Sequence, residues 1–323
     1  MPTHQIREIY ERGIYFLSDN DAFSYLAICL ADGLNLLGVP IFANISYNNP
    51  LISDFRFRRR EAPDALEKSY CVVIDVRNTD HYHYVVRLEP MHERTVVLCM
   101  QDNVNEFCIA GVAALFCAHG NCYKKMGGER VPVAFGLSSA IIKKTQHLVP
   151  NAKRYDSFIY SFRPTFNQHV RASLDLSFIP NFEKYLPVHR RLSMESRWSD
   201  DYYALLCRYT GCFAYGGAFE PDFSKSCFMR EDSFRAFMSH VQWLRDPVII
   251  RWDSWRFWES LACGCVTVHL DFVEYGFELP IMPENWKNYV GINFAHVQRD
   301  IERLMDERCR WPEIAWSLAS VGN

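Results

Sequence analysis

The sequence lacks an uninterrupted apolar run long enough to cross a membrane, for which about 20 mostly apolar residues are needed. Its longest apolar stretch, residues 22–45, is interrupted by Asp32, Asn35 and Pro40. The N-terminal residues, MPTHQIREIYER, precede no apolar region of the kind found in signal peptides. We therefore expect a protein without an integral membrane segment.

A basic excess is also missing. The 323 residues include 35 lysines and arginines against 38 aspartates and glutamates, which gives a formal net charge of −3. A protein that binds nucleic acid through its overall field carries a clear positive excess. On this ground we expect no nucleic-acid partner.

The motifs of several enzyme classes are absent. There is no glycine-rich dinucleotide fingerprint and no P-loop, which argues against dehydrogenases and nucleoside triphosphatases. The segment Cys117–Cys122 contains His119, but no second Cys/His pair stands at zinc-site spacing, so we predict no metal and no cofactor. The twelve cysteines lie mostly in apolar runs, which is typical of reduced thiols in a cytoplasmic protein.

What the sequence does contain is enough apolar material for a large core, with 49% hydrophobic residues. Short apolar runs alternate with amphipathic stretches, a pattern that favours parallel sheets covered by helices. We predict an α/β fold with two Rossmann-like domains, residues 1–153 and 154–323, that face a central cleft. The predicted strands are Gly13–Leu17, Val39–Asn44, Cys71–Val76, Thr95–Met100, Val131–Phe135, Ser157–Phe162, Cys212–Tyr215, Val248–Arg251 and Cys265–Leu270.

Polar loops follow these predicted strands, and in open α/β sheets ligands bind beyond the carboxyl ends of the strands. Asp19 and Asp21 follow the first strand, where either carboxylate is a candidate general base. The alternative is that one of them caps a helix that begins at Ala22. His81 is a rival base, although its alternating neighbours also suit a half-exposed strand.

The most informative segment is RWDSWRFWESLACGCVTV, residues 251–268. A strand reaches a polar turn, in which Asp253 or Ser254 is suited to cap a helix. Gly264 is suited to end that helix in a left-handed conformation, and a further strand follows it. The segment therefore predicts a strand, a short helix and a second strand.

Three charged residues of this segment point to an anionic ligand. Glu259 lies among aromatic residues, where a carboxylate needs a hydrogen-bonding partner such as a pair of ligand hydroxyls. Arg251 and Arg256 flank the start of the helix, where the N–H groups and the helix dipole favour an anion. The alternatives are a surface glutamate and salt bridges within the segment.

The string ESLACGCVTV resembles the E-A-x-A-x-G-x-P-V segment of GT-B-fold glycosyltransferases that use nucleotide sugars. The longer string RWDSWRFWESLACGCVTVHLD, with LPIMPENW at residues 279–286, is similar to a bacterial-type subgroup of that family. The resemblance implies that Glu259 binds the donor ribose and that the two arginines neutralise the diphosphate. Many retaining members have another glutamate where this sequence has Arg251, and an arginine there is suited to stabilise a departing diphosphate.

The second domain supplies further candidate donor ligands. Arg163 follows its first predicted strand, and a guanidinium binds phosphate in a bidentate manner. Arg171 is a weaker candidate of the same kind, and Ser254 completes the predicted donor-binding set with Glu259 and the other arginines.

We therefore expect a hexosyl- or pentosyltransferase. It would move a sugar from a UDP- or GDP-type donor to a glycan, lipid-linked or other hydroxyl acceptor, without a metal. One alternative is a non-catalytic module that binds sugar nucleotides or glycans, and another is an α/β epimerase or phosphorylase. The basic-aromatic run Phe55–Arg60 fits either a contact with an anionic membrane surface or a solvated loop.

Overall fold

The structure is a computed structural model that describes residues 3–18, 21–60, 63–76, 89–99, 111–123, 130–145, 153–161, 169–190, 200–220 and 248–316. The chain divides into two compact units. Residues 1–118 and 125–143 form the first, and residues 119–124 and 144–323 form the second. The roles predicted for the two halves of the chain stay predictions.

Strands and helices are numbered along the chain. The strands are β1 (Ile14–Leu17), β2 (Ile41–Ala43), β3 (Tyr47–Asn48), β4 (Arg56–Phe57), β5 (Cys71–Val76), β6 (Thr95–Cys99), β7 (Ala114–Cys117), β8 (Gly120–Asn121), β9 (Val131–Pro132), β10 (Tyr155–Tyr160), β11 (Val188–Arg190), β12 (Tyr209–Phe213), β13 (Ala218–Glu220), β14 (Val248–Ile250), β15 (Val266–Leu270), β16 (Phe277–Glu278) and β17 (Val290–Ile292). The helices are α1 (Thr3–Arg12), α2 (Tyr25–Leu36), α3 (Pro63–Lys68), α4 (Ser139–Thr145), α5 (His169–Phe182), α6 (Asp200–Leu206), α7 (Trp255–Ala262), α8 (Val297–Asp306) and α9 (Trp311–Trp316). Short 3₁₀ helices lie at Glu89–Arg94, Phe294–His296 and Arg308–Arg310. None of the helices in the described ranges is long and apolar enough to span a bilayer.

The first unit is built on six parallel strands in the order β2-β1-β5-β6-β7-β9. Its central strand β5 is an almost continuous apolar run, as expected for a strand that is covered on both faces. Asp75, the one acid in that strand, is buried, and its Oδ2 accepts the Ser24 N–H at 2.5 Å. Ser24 in turn accepts the Ala27 N–H at 3.2 Å as the N-cap of α2. The helix therefore begins at Tyr25 rather than at Ala22, and Asp21 is not its cap.

The second unit has five parallel strands in the order β11-β10-β12-β15-β17. Phenylalanine rings from β10, β12 and α5 pack together on one face of the sheet, and Phe158 is fully buried among them. Gly211 of β12 leaves the space that the Phe158 ring fills, because a Cβ at Gly211 would lie only 2.1 Å from Cε1 of that ring. Burial of these aromatic side chains stabilises the unit by about 1.5–3 kcal/mol each.

One prediction about the second unit needs correction. β14, predicted as a strand of the main sheet, pairs instead with β13 in a separate antiparallel ribbon. The second unit also contains a short segment from the first half of the sequence: β8 pairs with β16, and Asn121 donates hydrogen bonds to the carbonyls of Ile249 (2.9 Å) and Tyr275 (3.1 Å). These contacts place residues 119–121 within the second unit.

Candidate active site

The strand order of the second unit defines a crevice. From β10 the chain passes through α5 to β11 on one side, whereas from β12 it leads to β15 on the other side. The carboxyl ends of β10 and β12 therefore form a topological switch point, which is where open α/β sheets bind their ligands. Ser161 follows β10 at this point and is buried, and Ala214–Gly217 follow β12.

The loop that follows β12 lies between two polar segments. The Ser254 hydroxyl donates to the Ala214 carbonyl at 3.1 Å, and Arg171 Nε donates to the Tyr215 carbonyl at 3.3 Å. Gly216 has no side chain to separate these groups, and a Cβ there would lie 3.5 Å from Arg171 Nη2. Gly217 has φ +118°, a conformation that favours glycine. The loop therefore brings backbone and a guanidinium together at the switch point.

The turn before α7 is strained and tightly held. Arg251 is half-exposed and adopts φ +56°, which is uncommon for a residue with a long side chain. The neighbouring Trp252 is fully buried, and its Nε1 donates to the Gly120 carbonyl at 3.0 Å. The Asp253 N–H donates to Nδ1 of His119 at 3.1 Å. His119 and Gly120 thus fix the turn that carries Arg251.

Ser254 is the N-cap residue of α7, as predicted, but its hydroxyl does not cap the helix. The hydroxyl donates instead to the Ala214 carbonyl in the loop after β12. Asp253 Oδ1 accepts the Trp258 Nε1–H at 2.9 Å, a contact that links the turn before α7 to the first turn of the helix. Gly264 ends the helix region with φ +64°, as predicted.

Glu259 lies in the interior of the second unit and has no solvent exposure. Its Oε2 accepts the Tyr202 hydroxyl at 3.0 Å, and its Oε1 accepts the Tyr203 hydroxyl at 3.2 Å. Two protein hydroxyls therefore satisfy the carboxylate, where the sequence led us to expect a ligand. Ribose binding by Glu259 stays a prediction, and it requires that a ligand gain access to this enclosed position.

Arg256 is also buried, with 6% of its surface exposed. Burial lowers the pKa of this guanidinium, but the neighbouring Tyr202, Cys212 and Glu259 outweigh it, and the net shift is upward. Glu259 is therefore one of the groups whose charge acts on Arg256. Its predicted contact with the diphosphate stays a prediction.

A second polar cluster lies beside the crevice, and the sequence did not reveal it. The Tyr160 hydroxyl donates to Asp175 Oδ2 at 2.5 Å, and Arg190 lies over the Tyr160 ring, 5.5 Å from its centre. Burial raises the pKa of Asp175, while the Tyr160 hydrogen bond and the charges of Arg190 and Arg171 act in the opposite direction. The one available signal was the spacing of Arg171 and Asp175, four residues apart on a helix.

The other predicted residues are placed as follows. Asp21 is exposed after β1 in the first unit, at the carboxyl end of that strand. Asp19, His81 and Arg163 lie outside the described residues. The structure thus brings Arg251, Ser254, Arg256 and Glu259 together around α7. It leaves the roles of the predicted bases untested.

No protein-family model and no curated protein sequence matches the chain. Three solved structures of an alpha-glucosyltransferase share its fold. The complex with UDP is 10% identical, with a TM-score of 0.51 over 94% of this chain and 92% of that one. The complex with UDP and a 13-mer DNA containing a HMU base is 11% identical, with a TM-score of 0.52 over 95% and 94%. The complex with UDP-glucose and DNA containing an abasic site is 10% identical, with a TM-score of 0.52 over 95% and 93%.

This similarity confirms the predicted fold class, an α/β architecture of parallel sheets of the GT-B type. The similarity does not confirm the bacterial-type subgroup that the motif of residues 251–271 resembles.

The prediction that excluded a nucleic-acid partner is wrong, because structures with this fold hold DNA. Net charge was the wrong quantity on which to base it. A value of −3 is an average over the whole chain, whereas phosphate binding depends on the local arrangement of cationic groups.

Proposed function

We propose that the chain is a glycosyltransferase that moves a sugar from a nucleotide-diphosphate donor to a hydroxyl acceptor. The observation that carries the proposal is the crevice between β10 and β12. There the loop after β12 meets Arg171 and the turn of Arg251 at the start of α7. The GT-B-type fold, shared with structures that hold UDP and UDP-glucose, supports this donor class. UDP-glucose is therefore the first donor to test.

The chemistry of this site suits a diphosphate leaving group. Negative charge develops on the diphosphate as the glycosidic bond breaks, and fixed cationic groups lower the energy of that state. In the proposal, Arg251 and the N-terminus of α7 face the departing oxygen atoms, and Arg171 faces the diphosphate across Gly216. Because these groups supply positive charge, the proposed reaction needs no metal and no cofactor. Undiminished turnover in EDTA is the expected result.

The acceptor side belongs to the first unit in this proposal. Asp21, with Asp19 and His81 as rivals, takes the proton of the acceptor hydroxyl. The neighbouring structures that hold DNA extend the acceptors to be tried from glycans to DNA containing an HMU base. We also propose that the protein belongs to the bacterial-type subgroup and acts in the cytoplasm.

Calorimetric titration with UDP, GDP and uridine tests the donor site. We expect UDP to bind, and Arg251→Ala to weaken it by about 10- to 100-fold, the loss of one charge-assisted hydrogen bond or ion pair. Uridine lacks the phosphates, so its affinity should be nearly the same for both proteins. Arg7→Ala, which removes an exposed arginine from α1, is the matched control.

Turnover distinguishes an enzyme from a binding module. UDP-glucose labelled in the sugar is incubated with the protein for hours, with and without the acceptors named above. Release of UDP supports the proposal. UDP binding with neither transfer nor hydrolysis favours the non-catalytic module, and no binding of any nucleotide at this crevice overturns the donor site.

A further inference from the structure

A basic strip on the first unit takes no part in the proposed donor site. In the run Phe55–Arg60, Phe57 is buried and stacks on Phe23 with ring centres 4.0 Å apart. All four arginines of the run are exposed, among them Arg56 and Arg58 on either side of Phe57, and Arg60. We name these three residues the arginine strip. Of this run only Arg56–Phe57 (β4) is a strand, and the three exposed guanidinium groups belong to a segment of five residues.

A cavity of about 520 Å³ opens beside the arginine strip. Arg56 and Arg58 line it, together with the Phe55 ring and the apolar segment Val39–Ile41. Phe55 is half-buried, and its ring is set edge-on against Phe57 with centres 5.0 Å apart. The lining residues 38–40 precede β2, so the cavity lies at the amino end of that strand. Ligands of the parallel sheet itself are expected at the other edge.

Among the residues that the structure describes, the arginine strip has no acidic ion-pair partner. Asp54, the acid in the cavity wall, lies 3.6 Å from Lys143 Nζ and forms its ion pair there. Within the described ranges, no carboxylate forms an ion pair with Arg56, Arg58 or Arg60. Arg60 lies over the Phe42 ring, 4.3 Å from its centre, a contact that orients the guanidinium and leaves its charge intact.

We propose that the arginine strip and its cavity bind single-stranded nucleic acid. The guanidinium groups contact successive phosphates, and one base enters the cavity against the Phe55 ring. Single-strand binding sites combine these two elements, a cationic track for the backbone and aromatic surfaces for the bases. A concave site with an aromatic wall suits an inserted base, whereas a bilayer surface is contacted by protruding side chains. The proposal does not depend on glycosyl transfer.

Fluorescence anisotropy with a labelled 20-nucleotide single strand of mixed sequence tests the proposal. The double variant Arg56→Glu/Arg58→Glu should weaken binding at least about tenfold and reduce the salt dependence of log Kd by about 1.4, since each phosphate contact contributes about 0.7. The control Arg7→Glu/Lys287→Glu makes the same change in net charge at two exposed positions and should change Kd less than about twofold.

A variant of the aromatic wall separates base binding from simple charge attraction. Phe55→Ala should weaken the single strand by about tenfold, within the range known for loss of one stacked base. Heparin carries charge without bases, and its affinity should be unaffected by this change. Phe55→Leu, which keeps apolar volume, serves if the alanine variant fails to fold, and it should show the same selective loss.

Three results would overturn the inference. The first is equal binding of the strand by wild type and the charge-reversed strip. The second is an equal loss of affinity for heparin and for the oligonucleotide when Phe55 is replaced, which would show that the site binds anions without contacting a base. The third is binding to phosphatidylserine vesicles that depends on Arg56 and Arg58 without any binding of the oligonucleotide.

Discussion

The Tyr203 hydroxyl lies 3.2 Å from Oε1 of Glu259, and both side chains are completely buried. Tyr202, the preceding residue of α6, donates to the other carboxylate oxygen at 3.0 Å. Adjacent residues of a helix usually face different directions, but here the two rings meet edge to face with centres 5.2 Å apart. One carboxylate thus ties α6 to α7, and α7 begins at the turn that carries Arg251.

Tyr203→Phe removes one of these two donors and leaves a buried carboxylate oxygen with one protein hydroxyl fewer. We expect a loss of unfolding free energy of about 1–3 kcal/mol, the usual cost of an unsatisfied buried polar group. Urea denaturation measures it. Tyr155→Phe, at a ring that is 55% exposed, should cost less than about 0.5 kcal/mol. Equal stability of the two variants would show that the hydroxyl of Tyr203 is dispensable.

Glu259 itself offers a test of the prediction that it binds the donor ribose. Glu259→Gln keeps the shape of the side chain but removes its charge, so a ribose contact would be weakened by roughly 1.5–3 kcal/mol. UDP affinity is compared with that of inorganic diphosphate, which lacks a ribose. Selective loss of UDP supports a ligand role. If the affinities for UDP and diphosphate fall equally, or neither changes, and the variant is less stable, Glu259 serves only to join the two helices.

Gly211 and Gly33 form a matched pair of glycines. A Cβ at Gly211 would collide with the Phe158 ring, whereas nothing lies within 4 Å of a Cβ at Gly33 in the last turn of α2. We expect Gly211→Ala to destabilise the protein by about 1–3 kcal/mol through overpacking. Gly33→Ala should stabilise it by about 0.5–1 kcal/mol through helix propensity. Thermal unfolding of both variants measures the two changes in stability. Two variants that are both more stable, or both less stable, than wild type would contradict the prediction.

The sequence predicted some elements well because their signal is local. Cys71–Val76 is an apolar run interrupted only by Asp75, and the strand has those bounds. Val188–Arg190 and Ala114–Cys117 were missed, since a run of three or four residues is too short to establish a periodicity. The sheet order and the antiparallel pairing of Val248–Ile250 depend on contacts between distant segments, which no local pattern encodes.

The candidate site shows the same division. The segment around Arg251 and Glu259 was found from its residue types and spacing, and the helix with its glycine stop was predicted correctly. The partners of Glu259 lie 56 and 57 residues earlier in the chain. His119 reaches the Asp253 N–H from 134 residues away. These partners follow from tertiary packing and were beyond the reach of sequence spacing.

The strained backbone of Arg251 gives a test of stability against function. Arg251→Gly and Arg251→Ala both remove the guanidinium, but only glycine relieves the cost of the left-handed conformation. We expect the glycine variant to be more stable than the alanine variant by roughly 0.5–1 kcal/mol, after allowance for the greater freedom of glycine in the unfolded chain. Both should lose UDP affinity equally. A less stable glycine variant would show that the turn is not strained at this residue.

His269 predicts how stability changes with pH. The ring is completely buried in β15, with Nε2 3.1 Å from the Trp252 carbonyl and Nδ1 3.3 Å from the Leu270 carbonyl. Burial lowers the pKa of His269 to about 4, although both carbonyl contacts act to raise it. In the unfolded chain the pKa is the ordinary 6.5. Between these two values the unfolded state binds the proton and the folded state does not.

The contribution of this group is therefore fully present above pH 6.5 and is lost as the pH falls toward 4. Its upper limit is about 3 kcal/mol, because the pKa is lowered from 6.5 to about 4 and a tenfold change in proton affinity corresponds to about 1.36 kcal/mol. Urea denaturation of wild type and His269→Gln from pH 7.5 to 4 isolates it. We expect the stability difference between the two proteins to change across this window, and wild type to take up about one more proton on unfolding at pH 5. A pH-independent difference would mean that His269 ionises alike in both states.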